Sequence, residues 1–259
     1  MNPRLMRCMR RLELDGVKIE IFETVPELIA RAAGRLFDVL RTDPEAVIGL
    51  ATGNTFIPFY SYIAANRRKA GISFGGTVTF NLDEYLGISR ENEGSYHAYM
   101  QRNLFSKIDI RPENVHIPDS KPADPDIEAE HYDNLISRSG GIDIQFLGLG
   151  RNGHIGFNEP GTSFSSRTHV TELSASTVAS NAPLFGGSGD MPRRAITMGI
   201  KTILDARRIF LLAYGEEKSH AIGETFRAGR ITEDIPSTAL KLHRNVTVLL
   251  DVQAARSIL

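Results

Sequence analysis

The segment richest in chemically useful side chains runs from Gly148 to Pro160 and reads Gly-Leu-Gly-Arg-Asn-Gly-His-Ile-Gly-Phe-Asn-Glu-Pro. Asn152, His154 and Glu159 put an amide, an imidazole and a carboxylate in one loop, and the glycines let the backbone approach a ligand closely. A histidine near an acid can move protons at neutral pH. A lone histidine in a turn is usually structural, but one between glycines with two polar partners favours a proton-transfer site.

A second glycine-containing loop, Gly49-Leu-Ala-Thr-Gly-Asn-Thr55, separates an apolar run from a helical pattern. Such a turn presents backbone N–H groups and hydroxyls to an anion at a helix N-terminus, so we expect a phosphate to bind there. The residues that would hold it are Thr52, Gly53, Asn54 and Thr55. The loop is neither a Walker A loop nor Gly-x-Gly-x-x-Gly. Considered alone, it is explained equally well as a plain strand-to-helix turn.

Two adjacent carboxylates, Asp83 and Glu84, follow the apolar run at 77–80. Neighbouring side chains at a strand end point to different sides, so one can face a cleft while the other braces a loop. A carboxylate that faces a cleft is a candidate base. A helix cap or a solvated turn is the commoner use of such a pair.

Composition disfavours several other chemistries. The 30 Lys+Arg nearly balance the 31 Asp+Glu, which argues against nucleic acid or an anionic membrane as a partner. Cys8 is the single cysteine, which excludes an intramolecular disulfide and a cysteine-based zinc site and predicts a reducing, cytoplasmic location. The sequence contains no His-x-x-x-His pair and no Gly-x-Ser-x-Gly elbow, so it predicts no metal or other cofactor. No apolar run approaches the roughly 20 residues that span a bilayer.

Short apolar or β-branched runs alternate with helical patterns along the chain, as in parallel sheets whose strands are joined by helices. Strands are predicted at 17–22, 46–50, 77–80, 142–148, 208–213 and 246–250. Thr24 and Glu27 predict a capping box at the first helix, and a later helix is predicted over 216–228 with Gly229 as its stop.

These elements predict an α/β fold, a three-layer αβα sandwich around a mostly parallel, Rossmann-like sheet. No linker or repeat divides the chain, so we expect a single domain over 1–259, with 1–16 as an N-terminal arm. The chemistry of such sheets lies just past the carboxyl ends of the strands. All three polar segments fall there.

A family resemblance is carried by segments spread over most of the chain. They are Gly49-Leu-Ala-Thr-Gly, Asn81-Leu-Asp-Glu-Tyr-Leu-Gly with Ser95-Tyr-His-Ala-Tyr-Met, Gly153-His-Ile-Gly-Phe-Asn-Glu-Pro with Ser166-Arg-Thr, and Ala195-Ile-Thr-Met-Gly-Ile with Leu204-Asp-Ala. From about Val17 to about Leu250 the chain resembles the glucosamine-6-phosphate deaminase (isomerase) family. The related 6-phosphogluconolactonases share the sheet and a Gly-His element but lack the Phe-Asn-Glu-Pro that follows His154 here.

The resemblance implies an enzyme that converts an amino-sugar 6-phosphate to fructose 6-phosphate and ammonia without a metal or redox cofactor. It implies that Asp83 is the base that takes the C2 proton. It implies that His154 opens the pyranose ring while Glu159 and Asn152 orient it. Lys218 matches the family's phosphate lysine, although an exposed helix lysine is the simpler explanation of that position.

The resemblance also implies that Glu84 binds the substrate, together with residues 52–55. Three positions depart from the family pattern. Asn152 replaces the aspartate of many members, Phe56 replaces a proline, and Pro183 stands where the family's lid supplies an arginine to the phosphate. Arg193 and Arg194 are the candidate substitutes for that arginine.

His169 and Thr171 occupy positions where hexameric members carry basic residues that bind an N-acetylated effector. Without those charges we expect no such activation. The expected partner is a small-molecule sugar phosphate, and the chain could be a monomer or a homo-oligomer. Three alternatives stay open: a galactosamine-6-phosphate deaminase, a 6-phosphogluconolactonase-like hydrolase, and a non-catalytic sugar-phosphate sensor.

Overall fold

The computed structural model describes residues 8–185, 191–227 and 229–259, which form one large sheet, one small sheet and several helices. The strands are β1 (Arg10–Leu14), β2 (Val17–Phe22), β3 (Val47–Leu50), β4 (Val78–Asn81), β5 (Asp83–Tyr85), β6 (Val115–His116), β7 (Ile144–Leu147), β8 (His169–Glu172), β9 (Arg194–Thr197), β10 (Ile209–Ala213) and β11 (Val246–Asp251). The α-helices are α1 (Val25–Thr42), α2 (Ile57–Asn66), α3 (Tyr96–Asn103), α4 (Pro125–Arg138), α5 (Ala175–Asn181), α6 (Ile200–Leu204) and α7 (Ser219–Phe226).

The large sheet has eight strands in the order β1-β2-β11-β10-β7-β3-β4-β6. Neighbouring strands are parallel, except that β1 is antiparallel to β2. From β3 the chain runs outward to β4 and β6, then returns on the other side of β3 to β7, β10 and β11. The order reverses between β3 and β7, which is where open α/β sheets bind ligands. The predicted α/β fold with a mostly parallel sheet, flanked by helices, is confirmed.

The six predicted strands correspond to β2, β3, β4, β7, β10 and β11. Every residue of β3, β7, β10 and β11 is buried, which is why their sequences are apolar on both faces. At α1 the predicted capping box is present, with Thr24 Oγ1 accepting from the Glu27 N–H and Glu27 accepting from the Thr24 N–H. Helix formation over 216–228 starts later than predicted, because Glu216–Lys218 is a 3₁₀ turn and α7 begins at Ser219.

The expectation of an N-terminal arm over 1–16 is wrong for its second half. Residues 10–14 form β1, which pairs with β2 from Arg10↔Ile21 to Leu14↔Val17. The connecting Asp15 and Gly16 both have positive φ, +49° and +78°. An Asp-Gly pair favours this two-residue hairpin turn, whose twist matches that of the strands. Residues 1–7 lie outside the described residues.

The small sheet was not predicted. It has three antiparallel strands in the order β5-β9-β8, and Asp83 lies opposite Thr197 in its register. A second hydrophobic cluster, separate from the main core, covers it and includes Tyr85, Tyr96 and Phe157. This sheet therefore fixes Asp83 beside the loop that follows β7.

Candidate active site

His154, Asn152 and Glu159 form a hydrogen-bonded chain in the loop after β7. His154 Nδ1 lies 2.7 Å from the amide oxygen of Asn152, whose amide nitrogen donates to Glu159 Oε2 over 2.8 Å. Because an ionised carboxylate only accepts, it fixes which end of the amide faces His154. The amide oxygen also only accepts, so Nδ1 carries the proton and Nε2 keeps its lone pair. This is the tautomer that can take a proton from a ligand.

Gly150 makes room for the imidazole of His154. A Cβ atom at Gly150 would lie 2.3 to 2.4 Å from three atoms of the ring, so only glycine fits beneath it. The Gly150 N–H donates to the His154 carbonyl over 2.9 Å, and Gly153 turns the chain between them at φ +82°. The glycines singled out in the sequence thus hold the histidine in place.

Glu159 is an ionised anchor for this chain. Burial raises its pKa, but the nearby His154 and the hydrogen bonds from Thr177 and Asn152 outweigh burial and lower the pKa to about 2. Its Oε1 accepts hydrogen bonds from Ser174, over 2.9 Å, and from Thr177. Sequence reasoning missed these two hydroxyls at the start of α5. Ser174-x-x-Thr177 indicates a helix start, but nothing local shows that it meets Glu159.

Asp83 is buried at the same edge of the sheet, 5% exposed. Its opposite residue in the small sheet, Thr197, accepts the Phe157 N–H over 3.1 Å. A Cβ atom at Gly156 would lie 3.7 Å from Asp83 Oδ2, so the carboxyl group lies against the loop that carries His154. Burial, and then the adjacent Glu84, raise the pKa of Asp83 well above its usual range. A carboxylate so desolvated is a stronger base than one in water.

Glu84 faces a different part of the molecule from Asp83. Its carboxylate accepts the backbone N–H groups of Tyr85, Tyr96 and His97 at 2.8 to 2.9 Å, and so caps the start of α3. Burial raises its pKa to about 7, although these three N–H groups lower it. It lines a cavity of about 500 Å³ that includes no residue of 52–55. The structure therefore gives Glu84 a bracing position, as one of the two adjacent carboxylates was expected to have, and does not bring it to the phosphate loop.

Residues 52–55 form the turn between β3 and α2. Gly53 has φ +96°, a conformation that glycine adopts without strain. The Tyr99 hydroxyl donates to the Gly53 carbonyl over 2.7 Å, and the Tyr214 hydroxyl donates to the Asn54 carbonyl over 3.2 Å. Gly53 and Asn54 are exposed. An exposed turn that leads into a helix is the arrangement that binds phosphate.

Lys218 connects the loop after β10 to the loop after β7. Its Nζ donates to the Leu149 carbonyl over 2.9 Å. Burial lowers its pKa, Glu217 raises it, and the positive charge of Arg151 lowers it. Lys218 therefore contacts the loop that carries His154 instead of extending into solvent. Arg151, which sequence reasoning left without a role, lies in that loop.

The departures from the family pattern fall in different places. Phe56 is fully buried and lies 3.5 Å from the position of a Cβ at Gly148, so it packs beneath the loop after β7. Arg193 and Arg194 line a separate cavity of about 360 Å³ with Lys121, and no residue of 52–55 lines it. The side chain of Pro183 lies outside what the structure describes.

Over the described ranges, no helix is long and apolar enough to cross a membrane. Within the same ranges, no three His, Cys, Asp or Glu side chains are grouped so that they could hold a metal ion.

A buried carboxyl group and an oriented imidazole at the switch point of an α/β sheet, beside an exposed glycine turn, are the arrangement of an enzyme that moves protons on a small ligand. Residues 22–249 match the model of the glucosamine-6-phosphate isomerases/6-phosphogluconolactonase family, and the chain belongs to that family.

Relatives named glucosamine-6-phosphate deaminase align with most of the chain. The protein from Bacillus velezensis is 46% identical over 229 residues, which cover 88% of this chain and 95% of the relative. The protein from Thermoanaerobacter sp. is 41% identical over 239 residues, which cover 92% of this chain and 94% of the relative. A solved structure of a monomeric glucosamine-6-phosphate deaminase superposes with a TM-score of 0.90 at 44% identity, covering 92% of this chain and 99% of that one. The 6-phosphogluconolactonase from Trypanosoma cruzi, at TM-score 0.74 and 21% identity, shares the fold.

Proposed function

We propose that this chain is a glucosamine-6-phosphate deaminase, which converts D-glucosamine 6-phosphate and water to D-fructose 6-phosphate and ammonia. The observation that carries the proposal is the placement of Asp83 against the loop of the His154–Asn152–Glu159 chain. A ring-opening residue and a C2 base must act on one sugar in turn, so they have to lie within the length of that sugar. The identity of 41 to 46% with relatives of that name supports the same reaction.

Ring opening is assigned to His154. Its Nε2 accepts the proton of the anomeric hydroxyl, and the imidazolium then returns a proton to the ring oxygen as the C1–O5 bond breaks. Asn152 holds the tautomer that this step needs. Glu159, ionised and 3.6 Å from Nδ1, stabilises the positive charge that forms on the ring during the transfer.

Enolisation is assigned to Asp83. The carboxylate takes the C2 proton of the open-chain amino aldose while a proton of the substrate's ammonium group passes to O1, which gives an enolamine. Asp83 then returns its proton to C1, which gives the protonated imine of the ketose. Water adds to the imine carbon and ammonia leaves, so the products balance the substrate and one water. Each step is a proton transfer or a hydration, and Asp83 carries the transfer from C2 to C1. A non-catalytic sensor has no use for a C2 base, which favours an enzyme.

The 6-phosphate is assigned to residues 52–55 and to Lys218, because these lie on either side of the loop after β7. We place the reaction in the cytoplasm, in keeping with the free thiol of Cys8. We also propose that the chain acts as a single domain and as a monomer, as the neighbouring structure described as monomeric does.

Ammonia release from each substrate tests the reaction. We expect turnover of glucosamine 6-phosphate, slower turnover of galactosamine 6-phosphate, and no hydrolysis of 6-phosphogluconolactone. Preference for the galacto sugar or for the lactone would replace the proposal with the corresponding alternative.

His154→Gln separates the two assigned steps. We expect it to slow turnover of the cyclic sugar phosphate more than that of an open-chain analogue, which needs no proton at the ring oxygen. An equal loss of turnover with both substrates would assign His154 to another step.

A further inference from the structure

The loop after β7, which carries Arg151, contacts both the end of the 52–55 turn and the loop that carries Lys218. At Gly148, a Cβ position lies 3.5 Å from Phe56, so the loop after β7 packs on the end of the 52–55 turn. One residue further, the Leu149 carbonyl accepts the hydrogen bond from Lys218. Arg151 follows two residues after Leu149, inside the turn that the Gly153 N–H closes on the Gly150 carbonyl over 3.1 Å. Arg151 therefore lies two residues from the carbonyl that accepts from Lys218, on the loop that packs on Phe56.

Arg151 is exposed, and within the described part of the chain its guanidinium makes no ion pair or hydrogen bond. By contrast, Arg167 and Arg207 are each paired with an aspartate. The positive charge of Arg151 acts on Lys218, and the opposite effect of Glu217 on the pKa of Lys218 is the larger of the two. Two cations side by side repel each other, and an anion that binds between them removes the repulsion.

We infer that Arg151 binds the 6-phosphate of the substrate together with Lys218, and so determines specificity for phosphorylated sugars. This inference rests on the proposed function. A phosphate monoester carries close to two negative charges and three acceptor oxygens, more than one lysine and a turn of N–H groups neutralise. The planar guanidinium can donate to two of those oxygens at once.

The role differs from that of a catalytic residue. The phosphate lies at C6, remote from the bonds that change at C1 and C2, so Arg151 holds substrate and transition state alike. Its loss should raise KM and leave kcat nearly unchanged.

The test compares Arg151→Ala and Arg151→Lys with Arg68→Ala. Arg68 is also exposed, but it lies beyond the far end of α2 from the phosphate turn. We expect Arg151→Ala to raise KM for glucosamine 6-phosphate at least about tenfold, with kcat within about twofold of the wild type. The KM of Arg151→Lys should lie between those of the wild type and Arg151→Ala. Lysine keeps the positive charge but lacks the planar guanidinium that donates to two oxygens at once. Arg68→Ala should match the wild type.

Calorimetric titration with inorganic phosphate supplies a readout that does not depend on the reaction. We expect the dissociation constant for phosphate to rise in Arg151→Ala by a factor similar to that of KM, and to stay constant in Arg68→Ala. If the wild type binds phosphate but releases no ammonia from any amino sugar, the proposed function fails while this titration still decides the role of Arg151. Equal phosphate binding by Arg151→Ala and Arg68→Ala, or no binding by the wild type, would overturn the inference.

Discussion

Asp83 combines two properties that conflict at the scale of a single residue: it is buried, and its proposed role requires it to ionise. We expect Asp83→Asn to lower kcat by roughly 10²- to 10⁴-fold with little change in KM, because the amide keeps the shape but cannot accept the C2 proton. Exchange of solvent deuterium into the product measures the step directly. Exchange at the wild-type rate in Asp83→Asn would show that another group is the base.

The same substitution should stabilise the fold at alkaline pH. The pKa of Asp83 is raised in the native state, so native protein keeps this proton after the unfolded chain has released it. Native stability therefore falls as the pH rises through the native pKa. The amide of the variant cannot ionise and escapes this loss. Urea unfolding should show a larger free energy of unfolding for Asp83→Asn than for the wild type at pH 8, and a gap that closes near pH 4. A gap that widens on acidification would contradict the pKa direction.

Glu159 acts through Asn152, because its charge fixes the amide and the amide fixes the tautomer of His154. Glu159→Gln presents either an oxygen or an NH₂ group to Asn152, so the amide can flip and offer its nitrogen to Nδ1. We expect kcat to fall roughly 10²- to 10⁴-fold, as for other histidines that lose an orienting carboxylate, with KM little changed. Glu45→Gln, at an exposed glutamate, is the matched control. A kcat for Glu159→Gln within about twofold of the control would show that Glu159 does not orient His154 through Asn152.

At the scale of elements, α5 determines how firmly Glu159 is held. Thr177 donates to Glu159 Oε1 from the first turn of that helix. Thr177→Val keeps the shape and removes the donor, so we expect kcat to fall by about 5- to 20-fold, less than in Glu159→Gln because Ser174 still donates. Thr177→Ser should recover most of the activity.

A double-mutant cycle tells whether the threonine acts through the carboxylate. The variant that combines Thr177→Val with Glu159→Gln should be no slower than Glu159→Gln alone, since the two changes interrupt one chain of contacts. If their effects multiply, Thr177 acts elsewhere.

The elements also differ in how far the sequence predicts them. Strands such as β7 and β11 are buried on both faces and form continuous apolar runs, so the pattern alone identifies them. Strands β5 and β8 read Asp-Glu-Tyr and His-Val-Thr-Glu, and nothing in so short a polar stretch predicts extension; β5 pairs with β9, more than a hundred residues further along the chain. The sequence predicts the glycine loop and its three polar residues as a candidate site, because all of them lie in one short segment. The hydroxyls of α5 were not, because their target lies in another element.

At the scale of the whole molecule, the question is whether subunits regulate one another. In the segment where hexameric members bind an effector by the resemblance, His169 Nδ1 lies 2.8 Å from the Arg167 carbonyl, and the Thr171 hydroxyl donates to the Glu172 carbonyl. The arginine within this segment, Arg167, is paired with Asp205 over 2.9 Å. An effector phosphate needs charge-assisted bonds worth roughly 1.5–3 kcal/mol each, and this segment offers no unpaired arginine or lysine to make them.

We therefore expect hyperbolic velocity curves, with no activation by N-acetylglucosamine 6-phosphate. A monomer has no second subunit through which sites could cooperate, so light scattering should give a monomer mass over the concentrations used for kinetics. Initial velocities measured from well below to well above KM, with and without the N-acetyl sugar phosphate, check the first expectation. Sigmoidal curves that the compound makes hyperbolic would show that subunits do communicate. The phosphate of the effector would then have to be held by another basic segment, and Arg10 and Arg11, exposed on the edge strand β1, are the first residues to replace.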